Sequence, residues 1–145
     1  MVSFVIFRFI LLPVRIDGVS MLPTYHTGQF NCVNRLAYLR HEPQRYDIVS
    51  VRMARPSGLG APKVMYMKRI IGLPGETVAF RDGQALINDR ALDEPYLKLA
   101  CDWSHEPVVC GPGEYYVVGD NRSMPMPLHM QGRAKRERIV GKLLF

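Results

Sequence analysis

Two side chains in this sequence have the types required for nucleophilic catalysis. Ser20 lies in "IDGVSMLPTY" (16–25) and Lys68 in "MYMKRIIGLPGETV" (65–78). A serine hydroxyl is a weak nucleophile until a neighbouring base takes its proton. A lysine set in an apolar run is a candidate base, because burial penalises the ammonium and moves the amine from about 10.4 toward neutrality. Such a pair needs neither His nor Asp. Each residue also has an ordinary reading. Gly, Ser and Pro punctuate loops, so Ser20 could be a turn residue, and the Lys68 stem could line a core while its head reaches water.

The elements that would position the pair are strands. Short apolar runs rich in Val, Ile, Tyr and Phe predict strands over 30–34, 47–53, 64–71, 77–81, 85–87, 115–118 and 139–145. "RDGQ" (81–84) and "INDRAL" (87–92) read as tight hairpin turns, and "RPSGLGAP" (55–62) as a flexible loop. No helical period is sustained and no internal repeat is present, so the chain reads as mostly β, in a barrel or sandwich. At 145 residues it suits a single domain. We place that domain at 13–145, after an apolar segment at 1–12.

Composition narrows the function classes. A hydrophobic content of 48% with dispersed Gly and Pro argues against a disordered chain and against a helical bundle. The net charge of +6 would suit nucleic acid, anionic lipid or an acidic partner. The densest basic run, "GRAKRER" (132–138), lacks interleaved aromatics and contains Glu137; it reads as a solvated surface segment, and no nucleic-acid partner is expected. The three cysteines have no metal-ligand spacing, which argues against zinc, and a Cys101–Cys110 disulfide stays open. The apolar residues 2–12 would rise only about 16 Å as a helix, against a hydrocarbon core of about 30 Å. They read as the end of a longer anchor, a segment dipping into the interface, or a first core element. Trp103 and Tyr96 are candidates for an exposed patch meeting the bilayer, with the core as the alternative for Trp103. His26, His41, His105 and His129 read as satisfied surface histidines.

Four segments in order, "GVSMLPT" (18–24), "YDIVSV" (46–51), "MKRIIGLPGETV" (67–78) and "YYVVGDNR" (115–122), resemble the sequence boxes of type I signal peptidases, and the resemblance runs from about Pro13 to Phe145. It implies a mostly β fold of coiled antiparallel sheets or a partly open barrel, with Ser20 as nucleophile and Lys68 as general base. The amide of Ser20, with Gly18 allowing close approach, would form the oxyanion hole; many relatives carry a Ser where this chain has Gly18, so the hole would be mainly backbone. Met21, Leu22, Pro23, Tyr66 and Met67 are the candidate wall for an extended substrate with small side chains before the cut. Asp47, Arg69, Gly72, Pro74, Gly75, Gly119, Asp120, Asn121 and Arg122 would be scaffold, Asp120 by accepting backbone hydrogen bonds. The resemblance implies no cofactor or metal, precursor proteins bearing signal peptides as substrates, membrane lipid as a partner, and a catalytic domain on the export side.

One departure stands out. The family usually continues G-D-N-R-x-x-S-x-D-S-R, with the Ser orienting the lysine, whereas here Pro125 and Pro127 occupy the Ser and Asp positions. Ser123, after a local shift, or a water are the candidate replacements. Two alternatives stay open on that account: a peptidase specialised for one pilin or conjugation substrate, and a paralogue that binds precursor tails without cutting.

Overall fold

The apolar runs form strands because alternation on a pleated backbone sends one set of side chains to a core and the other toward the opposite face. The computed structural model describes residues 9–52 and 65–145; the apolar residues 2–8 and the loop 55–62 lie outside the described residues. Among the described residues there are eleven strands: β1 (Leu11–Arg15), β2 (Phe30–Asn34), β3 (Ile48–Arg52), β4 (Met65–Gly72), β5 (Thr77–Arg81), β6 (Gln84–Ile87), β7 (Arg90–Ala91), β8 (His105–Val109), β9 (Glu114–Val118), β10 (Gly132–Lys135) and β11 (Ile139–Leu143). They make a seven-stranded sheet in the order β1-β2-β11-β3-β4-β9-β10 and a four-stranded sheet in the order β7-β6-β5-β8. All pairings are antiparallel, so the expected mostly β fold of antiparallel sheets forms, and the sheets are not closed into a barrel.

The sequence pattern predicts the seven interior strands and misses β1, β7, β8 and β10, which are the four sheet edges. An edge strand is solvated along one side, so it tolerates charge and proline that hide its period. Pro13 sits inside β1 opposite Cys32, Pro107 lies in β8, and the basic run 132–138 is β10 followed by a 3-10 turn with only Ala134 buried in the strand. Both expected hairpins form. Asp82-Gly83 (φ 48° and 80°) and Asn88-Asp89 (φ 50° and 63°) supply the two positive φ values of a type I′ turn.

Ile71, Val78, Phe80, Ile87, Trp103, Tyr116 and Val118 fill the space between the sheets. Val49, Ile70, Tyr115, Val117, Ala134 and Ile139 cover one face of the large sheet, while Val14, Ile16, Met21, Tyr25, Val33 and Leu143 pack around the loop after β1. Trp103 therefore belongs to the core, its Nε1 donating to the Met124 carbonyl (2.8 Å) and its ring meeting Phe80 edge-on. Tyr96 is half-buried against the Arg69 guanidinium, 3.8 Å from the ring centroid, which removes both aromatics from a bilayer-facing patch. Cys32, Cys101 and Cys110 are all free thiols, so Cys101 and Cys110 are not joined.

The turn after β4 is fixed by Glu76. Its carboxylate accepts from the Leu73 N–H (2.7 Å) and pairs with Arg45 (2.5 Å), while Gly75, at φ 85°, donates to the Cys110 carbonyl (2.8 Å) beyond Pro74. Asp47 pins the same end of the β3–β4 pair through Tyr38 (2.9 Å) and Lys142 (2.6 Å). Gly72 is required for packing rather than for its φ: a Cβ there would lie 2.5 Å from Val78 Cγ2 and 2.8 Å from Tyr116 Cβ. Gly72→Ala is accordingly expected to lower unfolding free energy by about 1–3 kcal/mol, the usual cost of overpacking, measured as a shifted urea midpoint with unchanged slope.

Candidate active site

Lys68 stands at the middle of β4, flanked by β3 and β9, with Val49 opposite it. Alternation puts its side chain on the sheet face of Ile70 and sends Arg69 to the other. The ammonium end is nonetheless almost wholly enclosed, the residue being 2% exposed. Burial lowers the Lys68 amine to about 8, against an opposing pull from the Asp120 carboxylate. Its Nζ lies 2.7 Å from Ser20 Oγ, to which it donates a hydrogen bond.

Ser20 belongs to the loop between β1 and β2. Ile16, Met21 and Tyr25 anchor that loop in the core, and local bonds from Leu22 N–H to Val19 O (3.2 Å) and from Tyr25 N–H to Met21 O (3.0 Å) tighten it. Gly18 has φ 98° with open space where a Cβ would point, so the approach to Ser20 is clear on that side. Among the described residues the Ser20 N–H donates to no backbone carbonyl.

The segment 119–122 closes on this loop from the far side. Asn121 N–H donates to Ser20 O (2.9 Å), and its Nδ2 to Val19 O (3.0 Å). Gly119 permits the approach: a Cβ there would be 2.1 Å from Ser20 O. Asp120 does not turn its carboxylate to backbone N–H groups as expected. It is fully buried, accepting two bonds from Arg69 (2.9 and 2.6 Å) and one from Thr24 Oγ1 (2.5 Å). Arg122, equally buried, is paired with Glu94 (2.6 Å) and donates to Gly119 O (2.8 Å). A bidentate, charge-assisted pair is the form in which a buried guanidinium is tolerated. Glu94 is a scaffold residue the sequence reading missed, since nothing local ties a loop glutamate to a residue 28 positions away.

His129 is the second omission and a correction. It is buried at 4% exposure between Trp103, 4.9 Å away edge-on, and Gly119, whose Cβ would meet its ring at 2.7 Å. Neither ring nitrogen has a hydrogen-bond partner among the described residues. Burial, then the charges of Lys68 and Arg122, lower it to about 4, so the imidazole beside Lys68 is uncharged near neutrality. His105 is half-buried with both ring nitrogens engaged, Nδ1 2.7 Å from the Glu106 carbonyl and Nε2 2.9 Å from the Tyr116 hydroxyl. Ser123 does not replace the missing serine, because its Oγ donates to Asn121 Oδ1 (2.6 Å).

A cavity of about 230 Å³ opens beside Ser20, lined by Ile16, Gly18, Met21, Met65, Tyr66 and Met67. Of the candidate wall residues Met21, Tyr66 and Met67 thus border it, whereas Leu22 and Pro23 do not. Among the described residues no cluster of His, Cys, Asp and Glu has the arrangement of a metal site, and no helix is long and apolar enough to cross a membrane.

The sequence matches the family described as "Signal peptidase, peptidase S26" over residues 1–145. It is 34% identical over 156 residues to signal peptidase I T of Bacillus subtilis (strain 168), covering 100% of this chain and 78% of that protein. It is also 33% identical over 129 residues to signal peptidase I of Leptolyngbya laminosa, where the match covers 88% of this chain but 64% of the relative. Among solved structures, a signal peptidase I from Enterococcus faecalis V583 superposes with a TM-score of 0.54 at 28% identity, covering 71% of this chain and 97% of that one. With a serine and a buried lysine in contact on an open antiparallel β scaffold, and with similarity running the length of the chain, the protein belongs to the signal peptidase family, peptidase S26.

Proposed function

We propose that this protein is a serine endopeptidase that removes N-terminal signal peptides from exported precursors at the membrane surface. The observation that carries the reading is the 2.7 Å contact between Ser20 Oγ and an amine enclosed by apolar neighbours. Once Lys68 has lost its charge, the contact reverses and the hydroxyl donates to Nζ. Oγ then attacks the scissile carbonyl carbon as its proton passes to Lys68. The unengaged Ser20 N–H stabilises the oxyanion. Collapse breaks the C–N bond, Lys68 returns its proton to the departing amine, and a water activated by the same amine hydrolyses the ester to restore Ser20.

The cavity beside Ser20, walled by Met21, Tyr66 and Met67, offers an apolar surface for the substrate residues before the cut, and the preference for small side chains there rests on the family likeness. Action at the membrane, with the catalytic domain on the export side, rests on the family likeness. It is also favoured by apolar residues left in solvent on segments that meet in the fold: Phe30 is 71% exposed and Phe145 68%, with the Phe145 N–H close to the Asn31 side chain.

Two measurements test the reading. With a precursor carrying an Ala-x-Ala site, Ser20→Ala and Lys68→Ala are each expected to reduce kcat/KM by at least about a thousandfold; cleavage that survives Ser20→Ala would refute the mechanism. Because the neutral amine is the active form, kcat/KM is expected to rise with pH through a midpoint near the Lys68 value of about 8 and to level off above it. A limb centred near 10.5 would mean that the amine is solvated during catalysis.

A further inference from the structure

His129 is turned inward from a stretch whose apolar side chains face water. Leu128 and Met130, on either side of it, are 70% and 48% exposed, whereas the imidazole is buried with neither nitrogen partnered among the described residues. That inverts the ordinary preference, in which the apolar side chains would be enclosed and the polar ring solvated. Packing against Trp103 requires only a flat ring, and a phenylalanine would supply one without burying unpaired polar atoms.

The strand register sets this ring beside Lys68. Arg69 pairs with Val118 across β4 and β9, so Gly119 follows next to Lys68. Side chains at paired positions stand on one sheet face. Gly119 has none, and His129 takes the space: a Cβ at Gly119 would lie 2.7 Å from Cε1 and 2.9 Å from Nε2 of the ring, and would also overlap the Ser20 carbonyl oxygen. Lys68 and His129 line one cavity of about 260 Å³. The charges that act on the ring are Lys68 from β4 and Arg122 from the segment 119–122, with the backbone of Ser20 and Asn121 beside it; the Asp120 carboxylate acts on Nζ. Burial and the two cations hold the imidazole to about 4, so near neutrality one of its nitrogens is an acceptor.

A neutral lysine has two N–H bonds and one lone pair, and proton abstraction requires the lone pair to face the Ser20 hydroxyl. An acceptor on another side of Nζ fixes an N–H there and so aims the lone pair. We propose that His129 is a positioning residue for Lys68, its imidazole accepting from Nζ through one water, and that it fills the place of the serine for which this chain has Pro125. A bridging water needs room and at least two polar partners, and the shared cavity offers both. The inference rests on the Ser20/Lys68 reading for its catalytic consequence.

Two substitutions separate positioning from packing. His129→Phe keeps a ring against Trp103 without an acceptor, and His129→Asn keeps an acceptor without the ring; thermal unfolding reports whether each is folded. With an Ala-x-Ala precursor, His129→Phe is expected to lower kcat about ten- to a hundredfold with KM within about twofold, and His129→Asn to recover part of that loss. The rising limb of kcat/KM should move about 0.5–1 lower in pH in His129→Phe, because the lost acceptor favoured the ammonium. A merely structural role predicts the opposite, a loosened core that admits water and moves the limb up toward 10.5. A further measurement leaves His129 intact: in Ser20→Ala protein the imidazole 15N shifts should follow the Lys68 titration, and that step should vanish in Lys68→Met. Unchanged kinetics in folded His129→Phe, a limb moved upward, or an imidazole blind to Lys68 each overturn the positioning role and leave the dyad standing. Wild-type protein that does not cleave, with an imidazole that still follows Lys68, supports the contact and removes the peptidase reading instead.

Discussion

An amine that would hold its proton in water is kept in this protein where holding it is costly, and the surrounding structure is organised around that placement. Lys68 projects from β4, an interior strand of the seven-stranded sheet between β3 and β9, and is buried there. Enclosure by itself would leave an electrostatic loose end, because the fully buried Asp120 lies near enough to favour the charged amine. Arg69, the next residue in sequence but on the opposite sheet face, takes both oxygens of that carboxylate. The neutralised pair leaves desolvation as the dominant influence on Lys68. The alternation of a strand thus places the amine and the guanidinium that shields it from Asp120 on consecutive residues.

The hydroxyl is held by a different device. The loop carrying Ser20 is tightened by its own hydrogen bonds, and its backbone carbonyls at Val19 and Ser20 also both accept from Asn121. Gly119 lets the chains approach, and the buried Arg122–Glu94 pair stops the segment 119–122 from moving away. Removing one partner of such a pair would leave an uncompensated buried charge, so the clamp holds together as a unit. The position of Ser20 is therefore set by residues about a hundred positions downstream.

The departure after Arg122 takes on a definite form in three dimensions. Pro125 leads into a 3-10 turn at Met126–Leu128 and delivers His129 into the core, where the uncharged imidazole packs against Trp103 and Gly119 near Lys68. The missing serine is not replaced by Ser123, which is turned to Asn121. Lys68 is left with Ser20 as its hydrogen-bonding side-chain partner among the described residues. Beyond that bond, the Tyr66 ring lies beside the amine, its centroid 5.8 Å from Nζ.

The sequence alone determined the interior of the fold and the chemical identity of the pair. The seven central strands were legible because burial on two sides imposes an apolar pattern, and the hairpins because Asp-Gly and Asn-Asp tolerate positive φ. Ser20 and Lys68 were legible as residue types in ordered motifs, but nothing local could bring them to 2.7 Å. That separation, the four edge strands, the burial of His129, the Glu94–Arg122 pair and the cavity beside Ser20 were decided only by the tertiary structure. An edge is an edge because of which strands pair, and the environment of a buried polar group is made by residues that strand register brings from distant parts of the chain.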